Sequence, residues 1–149
     1  MIHASRRSLL GGAVAAALSP NSHAAGAEPY GAGLIGIGNR GSLLLKTLLE
    51  EPRAKVMALC DNKPDRLDRA ATIAARDKPA TTSDYRRLLE RADVEAVVIA
   101  SPCDLHVEMA IAALRAGKHV YCEKPIGITP QSVAELVRVA RSARRCQDP

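Results

Sequence analysis

The stretch GLIGIGNRG, residues 33–41, sets glycines at Gly36, Gly38 and Gly41 in the spacing G-x-G-x-x-G, between an apolar run and a leucine-rich one. Glycine is a poor helix former, so three of them where a strand gives way to a helix need a reason. A sharp backbone turn is one. An anion held on the N–H groups of a helix start is another, because it needs backbone bare of side chains. A plain glycine-rich turn would look the same locally, so the flanking sequence has to decide.

Outward from that stretch, short apolar runs alternate with longer amphipathic ones. GAGLIGI (31–37) reads as a strand, RGSLLLKTLLEE (40–51) as a helix stopped at Pro52, and AKVMALCD (54–61) as a second strand. In PDRLDRAATIAARD (64–77) the apolar positions Leu67, Ala70, Ala71 and Ala74 recur at helical spacing. KPATTSD (78–84) is ambiguous, with room for a short strand, and Ser83 or Asp84 can cap a helix over DYRRLLERA (84–92). VEAVVIAS (94–101) is almost uninterrupted apolar sequence, as in a strand buried on both faces of a parallel sheet. CDLHVEMAIAALRAG (103–117) places Met109, Ala112, Ala113 and Ala116 on one helical face and ends at Gly117; KHVYCE (118–123) is the next strand. Thr129 caps a last helix, opened by Pro130, with Val133, Leu136, Val137 and Ala140 as its buried stripe. Strands joined by helices run parallel, and right-handed crossovers make the outcome an α/β doubly wound parallel sheet, the Rossmann dinucleotide-binding fold, as one domain over residues 28–149.

Composition agrees with one globular domain: 149 residues, 47% hydrophobic and 25% charged, with a core built from Ala, Leu, Val and Ile because Trp and Phe are absent. The net charge of +5 does not signal nucleic acid, since the arginines are interspersed with acids and aromatic stacking platforms are missing. Part of that charge lies in SRRSLLGGAVAAALSPNSHAAGA (5–27), an Arg pair, a short apolar run and then small residues. This layout resembles a twin-arginine (Tat) signal, cleaved after Ala24 or Ala27. It implies residues 1–27 as signal peptide, the Tat export machinery as a partner and a periplasmic location; a basic arm is the alternative. The apolar run is too short for a stable membrane anchor. Cys60, Cys103, Cys122 and Cys146 are even in number, which raises a disulfide framework, but Cys60 and Cys122 end strand-like runs. Free thiols are expected, with Cys103 the exposed one. No spacing points to a metal.

In a βαβ unit the glycines acquire distinct tasks: Gly36 for the turn, Gly38 for approach of a pyrophosphate, and Gly41 for close helix packing. Asn39 and Arg40, between them, count with the same phosphate-facing loop. Asp61 ends the second strand, about 20 residues on, where a carboxylate can accept the adenosine ribose hydroxyls and repel a 2′-phosphate. NAD is therefore favoured over NADP, with Lys63 softening the choice; a helix cap is the other reading of Asp61. In AGKHVYCEKPIG (116–127), Glu123-Lys124-Pro125 fall at the carboxyl end of a central strand, the edge where open α/β sheets bind ligands. A lysine there can touch a substrate hydroxyl and stabilise charge as hydride leaves. Pro125 would fix the backbone, and a cis peptide is one way to do so.

GIGNRG, CD and VVIASPCDLHVEMAIAALRAGKHVYCEKP together resemble the nucleotide-binding half of the Gfo/Idh/MocA oxidoreductases, the family of glucose-fructose oxidoreductase and inositol dehydrogenase, from about Gly31 to the last helix. The resemblance implies NAD bound across the strand ends, Lys124 as the active-site lysine, Glu123 close to the cofactor, and Ser101-Pro102 lining the nicotinamide end. His106 matches a histidine common in the family, for which packing or capping weighs as much as chemistry. Cys103 departs from the usual asparagine. The family's second domain, which holds the sugar pocket and a proton-transferring group, is not found before the sequence stops at RSARRCQDP (141–149). The implied function is the cofactor-binding portion of an exported, NAD-dependent oxidoreductase acting on CH–OH groups of sugars or cyclitols. In it Lys124 would polarise the reacting hydroxyl while a base from the second domain takes the proton. The fragment is expected to be inactive alone and to form a homo-oligomer only if that domain is present. Two alternatives stand: an NAD-dependent glycosidase of the same superfamily, whose members often lack E-K-P, and a stand-alone, non-catalytic dinucleotide-binding module.

Overall fold

The computed structural model describes residues 28–143; the expected signal segment, Cys146 and the chain's last residues lie outside them. Five strands and five helices alternate: β1 (Tyr30–Ile35), α1 (Asn39–Glu50), β2 (Ala54–Cys60), α2 (Pro64–Ile73), β3 (Ala80–Thr82), α3 (Tyr85–Leu89), β4 (Ala96–Ile99), α4 (His106–Arg115), β5 (His119–Cys122) and α5 (Pro130–Ser142). A short 3-10 turn, Cys103–Leu105, leads into α4. All pairings are parallel, in the order β3-β2-β1-β4-β5. This is the doubly wound Rossmann sheet that the sequence pattern predicts.

Successive strand residues point to opposite faces, and the core divides accordingly. Leu34 and Val98 join Leu45 of α1 and Ala70 of α2 on one face. Ile35, Val97 and Ile99 meet Leu88 of α3 with Met109 and Ala113 of α4 on the other. Helix α5 packs outside α4 through Val139 against Ile111 and Leu114. The chain leaves β1 for α1 on one face and reaches β4 on the opposite side of β1. Strand order thus reverses between β1 and β4, which opens a crevice at their carboxyl ends.

Two glycines shape that crevice. Gly36 has φ +89°, and a Cβ on it would lie 2.6 Å from the Ser101 backbone nitrogen. A Cβ on Gly41 would run into the Gly36 carbonyl oxygen, so α1 can start close to the strand it follows only through glycine. Caps fall as expected: Asp84 accepts the Arg86 N–H at 3.0 Å, Thr129 accepts the Ser132 N–H at 3.2 Å, and Gly117 takes φ +71° just after α4.

Several details differ from the expected elements. β1 stops at Ile35, not at residue 37, because the Gly36 turn ends it. Helix α2 ends at Ile73 and residues 74–77 form turns, which brings the Asp77 carboxylate to accept the Val56 N–H at 2.9 Å. Helix α3 is shorter than the span 84–92. The ambiguous KPATTSD segment does contain a strand, three residues long. On α5 the buried valine is Val139 while Val137 is exposed, and Ala116 lies exposed at the end of α4.

Candidate functional site

Each strand that borders the crevice ends within two residues of a polar or glycine position: Gly36 after β1, Asp61 after β2, Ser101 after β4, Glu123 after β5. Two adjoining cavities result. One of about 500 Å³ runs between the glycine loop, Asp61 and the Ser101-Pro102 loop. The other, about 450 Å³, lies among Ser101, Cys103, His106, Glu123 and Lys124. Arg40, Ala100 and Ser101 border both.

At the first cavity, Asp61 is buried and already engaged. Its Oδ2 accepts the Ile37 N–H at 2.6 Å, its Oδ1 accepts the Lys63 N–H at 2.9 Å, and Arg66 Nη1 stands 3.6 Å from Oδ2. Asp61 does not cap α2, whose N-cap is Lys63 without a side-chain cap bond; it closes a turn on Lys63 instead. The same carboxylate also pins the glycine loop. An ionised carboxylate has about four acceptor positions, so these contacts leave capacity for further hydroxyl donors. Gly38 is not needed for packing. A Cβ there would touch only Arg66 Nη1, at 3.7 Å, so the bare backbone at the head of α1 fits a ligand phosphate rather than a protein neighbour. No side chain caps the start of α1, which leaves that end to an anion. These features fit a dinucleotide.

Arg40, at the junction of the cavities, is turned onto Glu123. Arg40 Nε lies 2.7 Å and Nη2 2.6 Å from Glu123 Oε1, which also accepts the Tyr121 hydroxyl at 3.2 Å; Oε2 accepts the Lys124 N–H at 3.2 Å. The hydrogen bond from Arg40 is the main reason the Glu123 carboxyl titrates below the usual carboxylate range, and Glu123 in turn raises the guanidinium. Residue 40 of the fingerprint and residue 123 of the E-K-P segment are therefore one unit, joined across the crevice. Lys124 borders the second cavity with its side chain exposed, and the Lys124–Pro125 peptide is cis. Ser101 and Pro102 line the first cavity, and Cys103 the second.

His106, buried at the start of α4, places Nδ1 2.8 Å from the Pro125 carbonyl oxygen and Nε2 2.8 Å from that of Ser101. It packs and bridges; it borders the second cavity without an exposed ring. Burial pushes the Cys60 thiol up to about 12 and that of Cys122 to about 11, so neither holds much thiolate near neutral pH, and Cys60, Cys103 and Cys122 are free. Among the described residues no cluster of His, Cys, Asp or Glu could hold a metal, and no helix is long and apolar enough to cross a membrane.

Three residues of the rim carry no sequence signal of their own. Arg66 is one turn into α2; Tyr85 is a buried phenol whose pKa rises to about 12 through burial and a 2.7 Å bond to Glu108; Tyr121 lies on the last strand. Tyr85 reaches the site through tertiary packing, Arg66 through its ion pair with Asp61, and Tyr121 through its neighbour Glu123.

The comparisons with known proteins agree with this geometry. The model of the oxidoreductase family with an NAD-binding Rossmann fold, GFO_IDH_MocA, matches residues 30–147. A curated relative from Saccharopolyspora erythraea, named a glycosyl hydrolase family 109 protein, is 39% identical over 125 residues, 79% of this chain and 27% of its own length. Scyllo-inositol dehydrogenase from Lactobacillus casei, solved with NAD(H) and scyllo-inositol, superposes with TM-score 0.74 at 28% identity, over 79% of this chain and 34% of that one. A 3-ketoreductase from Actinomadura kijaniata, solved with NADP and TDP-benzene, gives TM-score 0.70 at 36% identity over 78% and 35%. The chain thus spans about a quarter of the curated relative and a third of the solved ones.

Proposed function

This chain belongs to the Gfo/Idh/MocA oxidoreductase family, and from that premise we propose that it is the NAD(P)-holding module of an enzyme acting at a carbinol carbon of a sugar or cyclitol. The observation that carries the reading is the rim itself: a bare Gly38 at an uncapped helix start, with Asp61 on one side and the linked Arg40–Glu123–Lys124 group on the other.

A bound nicotinamide supplies the hydride-accepting centre. The chain's own residues do the rest of what this half contributes. The N–H groups at the head of α1 bind the pyrophosphate, and Asp61 uses its remaining lone pairs on ribose hydroxyls. Glu123 carries its charge next to Arg40, and the exposed Lys124 ammonium polarises the hydroxyl of the reacting carbon. The named relative, at higher identity than the inositol dehydrogenase, favours a glycosidase, in which glycoside and water give sugar and aglycone with no net change in the nicotinamide. Net oxidoreduction is the second reading, and Lys124 in E-K-P is what favours it. Residues 5–27 are proposed to direct Tat export to the periplasm, which a fractionation of cells carrying Arg6→Lys and Arg7→Lys would test.

The full chain is titrated with NADH by fluorescence. Micromolar binding is expected, and no binding at millimolar NADH overturns the proposal. Aryl glycosides and free cyclitols, offered with NAD to this module joined to a substrate domain, then separate the two readings. Aglycone release without NADH accumulation indicates the glycosidase; NADH accumulation indicates net oxidation.

A further inference from the structure

His106 touches two carbonyl oxygens and nothing that could give it a proton. Nδ1 faces Pro125 O and Nε2 faces Ser101 O, each at 2.8 Å, and the residue is 1% exposed. A carbonyl oxygen only accepts, so each contact is a hydrogen bond only if that ring nitrogen carries a proton. A neutral imidazole has one proton. It would leave one ring lone pair facing a carbonyl lone pair at bonding distance, inside the protein, where an unmet acceptor is costly.

We infer that His106 stands in this fold as an imidazolium that donates to both carbonyls and so clamps the loop after β4 to the Lys124–Pro125 turn after β5. It is a positioning residue for the two segments that border the second cavity, and its effect on the cofactor rests on the reading of this rim as an NAD(P) site. The charged and titratable groups around that cavity are Arg40, Glu123, Lys124 and Cys103. On the clamp's own element are Asp104 and Glu108, the latter bound to Tyr85 and Arg86. Arg40 and Glu123 are paired at 2.6 Å and offset each other, and the exposed Lys124 is screened by water, so the two carbonyl contacts decide the ring's state. The dipole of α4 opposes a cation at its first residue, but that term is weaker than two charge-assisted hydrogen bonds. A dinucleotide pyrophosphate in the adjoining cavity would favour the imidazolium further, and by reciprocity the proton would favour the dinucleotide. Loss of that proton leaves either Ser101 O or Pro125 O without a donor and releases one of the two segments.

The test begins on the unmodified full chain labelled with 15N-histidine. Long-range nitrogen–proton correlation spectra at pH 7 count the protons on each ring, with His106 assigned from the signals lost in His106→Asn. Two ring N–H groups on His106 are expected; a single N–H overturns the clamp, whatever the variant does. NADH affinity is then followed from pH 7 upward. Wild type is expected to weaken by roughly tenfold as the second ring proton is lost, the size of one hydrogen bond. His106→Asn, whose one donor nitrogen cannot span both carbonyls, is expected to be weak at every pH without that step. Two ring protons with pH-independent NADH affinity would overturn the positioning role. No NADH binding at all would overturn the proposed function and leave the proton count to decide the clamp.

Discussion

Asp61 and Ile37 are joined by a 2.6 Å hydrogen bond from the Ile37 N–H to Oδ2, while Oδ1 of the same carboxylate takes the Lys63 N–H. One side chain at the end of β2 therefore holds the middle of the glycine loop and the entry to α2. Asp61→Asn offers one carbonyl oxygen to two N–H donors and turns an amide NH2 against the other. A loss of about 1–3 kcal/mol is expected from urea unfolding. NADPH should gain relative to NADH in the same variant, because the charge that repels a 2′-phosphate is gone and Arg66 remains beside the site. Unchanged cofactor preference would mean that Asp61 only fastens the loop.

The glycines separate folding from binding. Gly41→Ala drives a methyl into the Gly36 carbonyl and should destabilise by about 1–3 kcal/mol, the usual range for overpacking. Gly38→Ala meets nothing closer than 3.7 Å and should leave the melting temperature nearly unchanged while NADH affinity falls at least tenfold. Thermal melts and NADH titrations on both variants check the pair.

The Arg40–Glu123 link should respond to acid. The folded-state pKa of Glu123 is lowered, with the hydrogen bond from Arg40 as the largest cause. The stabilisation is accordingly complete above the unfolded glutamate value of about 4.3, and it disappears as pH falls through the lower folded value. Wild type should be more stable than Glu123→Gln at pH 7, and the gap should close as the solution is acidified below about 4. Urea midpoints across pH give the answer; a gap that stays constant would assign the difference to packing.

Thiol labelling should be ordered. Burial holds the Cys60 thiol near 12 and the Cys122 thiol near 11, so neither supplies much thiolate at pH 8. Among the described cysteines, Cys103, half-exposed at the edge of the second cavity, should alkylate before Cys60 and Cys122, and NADH should slow it. Peptide mapping after brief iodoacetamide treatment reads the order directly.

Much of the fold was legible because alternation and capping are local. The apolar runs marked the strands and the crossover rule made the sheet parallel and doubly wound, though not its strand order, and Asp84, Thr129 and Gly117 marked helix ends with their own side chains or backbone. β3 was ambiguous because three residues on the sheet edge, with Ala80 and Thr81 exposed, carry no period. Val139 displaced Val137 because the face of α5 is set by contact with α4, itself a product of the fold. At the site, the positions were legible but their bonds were not. Nothing in a list of residues pairs Arg40 with Glu123 or sets His106 between two carbonyls. The role of Asp61 as a fastener depends on a partner 24 residues away in sequence.

The placement of these groups along the strands also bears on how such a module can change over generations. Leu34, Leu59, Val97 and Val98, which hold the layers together, lie within the strands, whereas Gly36, Asp61, Ser101 and Glu123 come just after them. Mutation can rework chemistry at Ser101 or Gly38 while the scaffold beneath keeps its packing, whereas Gly36 and Asp61, which also hold the loop in shape, tie specificity to foldability.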